Sequence, residues 1–284
     1  MSVGKRKRNV KKKLLIALLS VAIFAVSVLS VLQLGVWYTA NHWQQWRPSY
    51  EKIDILPLLW KDERTEEDYD VLYRQTGLTK TGIDGLLNRG NVSRILRIQT
   101  AFFEEYEITP DHFAAFTFIE KIDGNVPLAK LEDGDILVSA STRVSWFRYG
   151  HAAIVVDADD MLIAEAVAVG EDSWIASAYS FDHLANFIVL RPNLSEAKRK
   201  QAARYAKENL VGIPYRLTTG VLSKKFQQPI QGSQCAHLVW YAYKQVGVDL
   251  DSTGGGVVKP RDIANSPHVS VVQAFGFDLD TLWR

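Results

Sequence analysis

The residues LLIALLSVAIFAVSVLSVLQLGV at positions 14–36 carry no charge and are interrupted only by Ser, Gln and Gly. Such a stretch has few structural options. As a helix it rises about 1.5 Å per residue, enough to match a hydrocarbon core of roughly 30 Å. A helix buried in a protein core is the other option, and it fits poorly with what precedes the run. Residues 1–13, MSVGKRKRNVKKK, hold seven Lys or Arg and no acid. A cation cluster abutting an apolar span stays on the cytoplasmic side. The expectation is a cytoplasmic basic segment over 1–13, a transmembrane signal-anchor over 14–36, and a chain body outside the cytoplasm from Trp37 onward. Trp37, Tyr38, Trp43 and Trp46 fall where an interfacial aromatic belt sits. Val28-Leu29-Ser30 also reads as a small-residue cleavage site, so secretion after signal-peptide cleavage is the competing expectation. With no Cys in or just after the run, a lipoprotein anchor is excluded.

The charge balance bears on partners. The chain has a net charge of +1, and removing the seven N-terminal cations leaves −6 on the remainder. A mildly acidic body argues against nucleic acid as a partner. At 284 residues the chain has room for one large domain, or a catalytic domain with an appendage.

Residues 37–60 read as a stalk broken by Pro48 and Pro57. Residues 61–125 read as a helical region. DERTEEDYDVLYRQTG places acids at a helix start and Gly77 at its end, and NVSRILRIQTAFFEEYE sets Val92, Ile95, Leu96, Ile98, Ala101 and Phe102 near helical spacing. Thr109-Pro110-Asp111 is expected to open a third short helix through Phe118. From Val126 the pattern changes to short β-rich runs: DILVSA at 135–140, HAAIVV at 151–156, MLIAEAV at 161–167, FIVLR at 187–191 and VSVVQAF at 269–275. Two helices interrupt them, one following Ser195 as N-cap and one beginning near Cys235. Strands grouped with a few helices predict an α+β domain with a mainly antiparallel sheet over residues 126–284.

The chain has a single cysteine, so no intramolecular disulfide forms. From Cys235 to Val246 the apolar positions recur at i, i+3, i+4, i+7, i+8 and i+11, an amphipathic helix with Cys235 in its first turn. Free N–H groups and the helix dipole there favour a thiolate and would donate to an oxyanion. A small buried core residue satisfies the same spacing, and the helix alone does not separate the two readings. A thiolate nucleophile needs an imidazole partner. His237 is nearest in sequence, yet two residues along a helix turn it ~200° away. His183 and His268 precede strands and stay open. His151 opens a strand after Gly150, with small Ala152 and Ala153 behind it, and is placed to line a cleft. A carboxylate would orient such an imidazole. If HAAIVV and MLIAEAV form a hairpin turning near Ala158, Glu165 lies across from His151, and a one-residue slip in register would put it on the other face.

Other chemistries have less behind them. No His-x-x-x-His pair and no second Cys supply a zinc shell, Gly-x-Ser-x-Gly is absent, and Gly254-Gly255-Gly256 leads into no phosphate-loop lysine. No cofactor or metal is expected.

The stretches Gly-His-Ala-Ala-Ile-Val at 150–155, Glu165 and Cys-Ala-His-Leu-Val-Trp-Tyr-Ala-Tyr-Lys at 235–244 resemble the circularly permuted NlpC-like cysteine hydrolases of the papain-like superfamily, the YiiX type. Gly134-Asp135-Ile136, Gly212-Ile213-Pro214-Tyr215, Gly247-Val248-Asp249-Leu250-Asp251-Ser252 and Pro260-Arg261-Asp262-Ile263 add to the match, which covers roughly residues 126–284. GLTKTGIDGLLNRG resembles a helical N-terminal region seen in some exported members. One departure is Ala236, where members often carry Ser. The resemblance implies a permuted papain-like fold in which His precedes the acid and Cys comes last. It further implies Cys235 as nucleophile, His151 as base and then acid, and Glu165 as the orienting group. The expected activity is a membrane-anchored extracytoplasmic thiol hydrolase, an amidase or peptidase acting on cell-wall peptide or a related amide. The competing expectations are a lipid-directed acyltransferase or thioesterase, since lecithin retinol acyltransferase-like proteins share the permuted fold, and a catalytically silent binding module.

Overall fold

The computed structural model describes residues 3–41, 45–114 and 116–283, so His42 and Trp43 lie outside the described residues. Helix α1 (Val3–Asn41) is a single long element that takes in most of the basic segment and the whole apolar run. Its portion Val10–Thr39 is long and apolar enough to cross a membrane, and none of its most apolar window is buried in the protein.

Beyond α1, residues 45–60 run along the helices that follow instead of standing free. Ile55 and Leu59, the latter in the short helix α2 (Leu56–Leu59), are buried in the core. Gln99 donates its amide to the Ile53 carbonyl at 2.8 Å, and Gln75 donates to that of Glu51 at 3.0 Å. Trp46, expected in the aromatic belt, stacks at a tilt on Phe102 with centroids 6.0 Å apart.

Helices α3 (Glu66–Thr76), α4 (Lys80–Leu87) and α5 (Val92–Phe103) follow the expected pattern. Thr65 closes α3 with a capping box through Asp68, and Gly77 ends it at φ 69°. Gly77 also lacks room for a side chain, because a Cβ would overlap the Ala274 carbonyl. That close approach seats the helices on the edge of the main sheet, where the Thr79 amide donates to Val272 at 3.0 Å.

The helix expected from Thr109 to Phe118 is instead a hairpin of β1 (Ile108–Ala114) and β2 (Thr117–Ile122). The physical reason lies in TFIEKI, where β-branched and aromatic residues alternate and burial follows with period 2. Pro110, which has no N–H to give, sits on the edge strand of this sheet. Strands β3 (Ile136–Ser139), β4 (Thr142–Val144) and β5 (Phe147–Arg148) come next, and β1-β2-β4-β5 form one antiparallel sheet.

The larger sheet adds β6 (His151–Asp157), β7 (Leu162–Glu165), β8 (Trp174–Ser177), β9 (Phe187–Pro192) and β10 (Val269–Phe275). Its order is β10-β9-β3-β6-β7-β8, every neighbouring pair antiparallel. Helices α6 (Glu196–Asn209) and α7 (Cys235–Gln245) pack on it at β6, and α8 (Pro260–Ala264) lies against β3. The chain is thus α+β with antiparallel sheets. Gly134 lets α7 dock: at φ 87° and without a Cβ, its carbonyl accepts from the Tyr243 hydroxyl. One continuous core joins the helical region to the sheet, with Leu72, Ile95 and Ile98 in the same cluster as Val189, Leu238 and Tyr243.

The smaller sheet carries a buried charge cluster. Glu120 on β2 accepts from Arg143 of β4 and from Arg148 of β5, the latter at 2.9 and 2.8 Å. The Glu120 carboxylate is 1 % exposed. Removing one member of such a group strands the others without a counter-charge in a poorly solvated site. Glu120→Ala should therefore cost about 3–5 kcal/mol. Lys200→Ala, which breaks the exposed pair with Glu196, should leave stability unchanged. Urea denaturation of the full chain in detergent micelles measures both, and equal effects would refute the assignment.

Candidate active site

His151 begins β6 immediately after Gly150, whose φ of 77° turns the chain into the sheet. A Cβ at Gly150 would overlap the Trp283 ring and lie 2.5 Å from the Ser139 carbonyl, so only glycine fits. Ser139 on β3 is the register partner of His151. The imidazole lies flat against Phe181, with centroids 5.7 Å apart and an interplanar angle of 25°.

Glu165 reaches the same side of the sheet through an irregular register. Asp157 pairs with Leu162, while Val155 pairs with Ile163, so Val156 is the extra residue of a β-bulge. Continuing the closing pair without the bulge would set Glu165 opposite Ile154, facing away from His151. With the bulge, Ile154 pairs with Ala164 and the next pair sets Glu165 beside Ala153, on the face of His151. The two are therefore diagonal neighbours, not the direct partners expected from a turn at Ala158. Long side chains span that diagonal, and His151 Nε2 lies 2.7 Å from Glu165 Oε2.

Cys235 is the first residue of α7 and is 3 % exposed. Its side chain lies beside the His151 ring, close enough to act on its protonation, and both line the same cavity. Since Nε2 is taken by Glu165, Nδ1 is the ring nitrogen left for the thiol. Burial alone disfavours the imidazolium. The neighbouring Cys235 and Glu165 side chains, with the Glu165 charge behind them, outweigh it and raise the His151 pKa to about 10. The three side chains singled out in the sequence thus meet at one point.

The other histidines do different work. His237, inside α7, is buried; its Nδ1 lies 2.9 Å from Ser233 Oγ and its Nε2 2.7 Å from the Lys225 carbonyl. Burial holds its pKa below the ordinary value. His183 bonds the Gly124 carbonyl at 2.8 Å and pairs with Asp182 at 3.1 Å. His268 is exposed beside the edge strand β10, three strands from β6.

Several residues at the site were not legible beforehand. Tyr149 and Tyr215 flank Cys235; burial first, and then the nearby cysteine, push both phenols up, so each keeps its proton and its capacity to donate. The side-chain nitrogen of Gln234, directly before the cysteine, is buried and has no hydrogen-bond partner. The Cys235, Ala236 and His237 amides sit in the first turn of α7, where no intrahelical acceptor reaches them. Cys235, His151 and Glu165 open onto a cavity of about 450 Å³ walled by Phe113, Ile119, Ile122, Val167, Trp174 and Phe181. Among the described residues, no cluster of three or more His, Cys, Asp or Glu is placed to hold a metal ion.

No family model matches the chain, and no solved structure matches it. A curated relative, the uncharacterized protein YycO of Bacillus subtilis strain 168, is 28 % identical over 134 residues, which is 46 % of this chain. The chain spans about half the length of that relative, 52 % of it.

Proposed function

We propose that the protein is a membrane-anchored thiol hydrolase that cleaves an acyl bond through Cys235, His151 and Glu165, on a permuted papain-like fold. The observation that carries this reading is the convergence of Cys235, His151 and Glu165 on one cavity, with His151 bonded to Glu165 at 2.7 Å. The order along the chain, histidine strand, then acid strand, then cysteine helix, supports the permuted reading. A silent binding module would have no use for a buried carboxylate, imidazole and thiol aligned at one cavity, since such burial costs free energy unless every member is paired. The apolar length of α1 and the cations ahead of it support anchorage with the body outside the cytoplasm.

The chemistry follows from the contacts. In the reaction Cys235 gives its proton to Nδ1 of His151, whose charged form Glu165 supports. Sγ attacks the carbonyl carbon and the carbonyl π electrons move to oxygen. The first-turn amides of α7 and the spare amide of Gln234 are the available donors for that oxyanion. As the oxyanion collapses, the bond to the leaving group breaks and His151 gives it the Nδ1 proton, leaving a thioester on Cys235. Water then attacks the thioester, His151 taking its proton, and Sγ departs with the acid released. Glu165 holds the ring orientation and stabilises its charged form throughout.

Two outcomes test this. Intact-mass spectrometry after incubation with p-nitrophenyl acetate should show one acetyl group on the wild type and none on Cys235→Ala. His151→Ala should slow acylation by about 10²–10⁴-fold, and Glu165→Gln should slow it less; acetylation of Cys235→Ala at the wild-type rate would sink the nucleophile.

The second concerns pH. The folded-state pKa of His151 is raised from 6.5 to about 10. Its contribution to stability is therefore complete below pH ~6.5 and is lost as pH rises towards about 10. The wild type should accordingly lose more stability than His151→Gln between those limits, read from urea midpoints. Histidine-selective NMR should find the ring still protonated at pH 8. A ring that titrates below pH 7 would refute the ion pair.

A further inference from the structure

The long apolar helix does not merely trail from the domain. Ser145, in the turn between β4 and β5, donates its hydroxyl to the Leu32 carbonyl of α1 at 2.8 Å. Val36 and Thr39 are buried at this contact, and a Cβ on Gly35 would overlap Ser145 Oγ and the Trp146 ring. Leu32 to Val36 form the last turn of the uncharged run 14–36. When that run spans a bilayer, the β4–β5 turn is held at the outer edge of the hydrocarbon.

The residues presented there are apolar. Trp146 is 54 % exposed and Phe147 61 %, with Val144 at 37 % beside them. Large apolar side chains exposed together on a water-facing turn are a liability; at a bilayer interface they are an anchor. The turn is also stiff, since Glu120 holds Arg143 on one of its strands and Arg148 on the other.

The same hairpin borders the cavity. Thr142 and Tyr149, which flank it, line the cavity together with Cys235. Three residues of strand, about 10 Å, separate Thr142 from the turn at Ser145. The walls are mostly hydrocarbon and aromatic, and the Lys121 and His183 side chains are already engaged by Asp111 and Asp182. A peptide bearing free carboxylates and ammonium groups would leave those charges unpaired here.

We propose that the domain docks on the membrane surface through the β4–β5 turn, and that the cavity takes a long acyl chain from a lipid-borne ester or amide. This rests on the thiol hydrolase reading and names its substrate class.

The test uses the full chain reconstituted in phosphatidylcholine vesicles and two alkylating probes, water-soluble iodoacetamide and membrane-borne N-hexadecyl iodoacetamide. At equal bulk concentration the hexadecyl probe should label Cys235 at least tenfold faster. The double variant Trp146→Asp/Phe147→Asp should lose that preference, with iodoacetamide still labelling Cys235. Val167→Trp, which fills the cavity, should lose it too while keeping the turn intact. A wild type without the preference, or both variants retaining it, overturns the proposal, and a cleft for polar peptide is then the better reading. The hydrolase reading is judged separately, by whether iodoacetamide labels Cys235 faster than the denatured thiol.

Discussion

The site depends on one extra residue in the β6–β7 hairpin. Side chains on paired strands share a face only for one parity of register, and the pair that closes this hairpin, Asp157 with Leu162, has the wrong one. Val156 corrects it. Without that bulge Glu165 would face away from His151, and the carboxylate and the imidazole would each lose the other as partner. With it, the carboxylate is 7 % exposed as a residue and paired at 2.7 Å. The bulge also explains why the acid sits diagonal to the histidine, a separation that Glu bridges and Asp, one methylene shorter, bridges less readily.

The remaining requirement is that the cysteine arrive at the same point, and this is a matter of packing. Helix α7 is buried along nearly its whole length, from Cys235 to Tyr243. A helix so enclosed is placed by its contacts: Tyr243 bonds Gly134 at the turn into β3, and Trp240 donates to Asp249 at 2.7 Å. Its first turn is thereby set against the start of β6. Cys235 belongs to the core cluster and also lines the cavity, because a cysteine at a buried helix terminus has one side in each.

Legibility in the sequence followed locality. The acids at its start and Gly77 at its end announce α3, because helix polarity and a terminating glycine are written within one element. The strands β6, β7, β9 and β10 were readable as β-branched runs. The hairpin at 108–122 was misread because Pro110 and Asp111 resemble a helix start, while the alternation that marks a strand begins only at Thr117. Trp46 looked like a membrane-belt residue, and its partner Phe102 lies far away in the chain. The parity of Glu165 is not written in the sequence, since a bulge leaves little trace in residue types. The cavity walls were out of reach altogether: Phe113, Val167, Trp174 and Phe181 come from separate elements and share no local pattern.

Location and chemistry are linked by a very short piece of chain. Phe147 and Arg148 form β5, His151 begins β6, and only Tyr149 and Gly150 lie between them. Arg148 is held by Glu120, and Gly150 has room for no side chain against Trp283 and Ser139. The exposed aromatic turn and the histidine are therefore ends of one rigid unit. Whatever depth Trp146 takes beside α1 also sets the height of the His151 ring above that level. An apolar group filling the cavity excludes water from it. Charge interactions strengthen as water leaves. On the proposed reading, an apolar group in the cavity would strengthen the Glu165–His151 contact, and binding and activation would draw on the same burial.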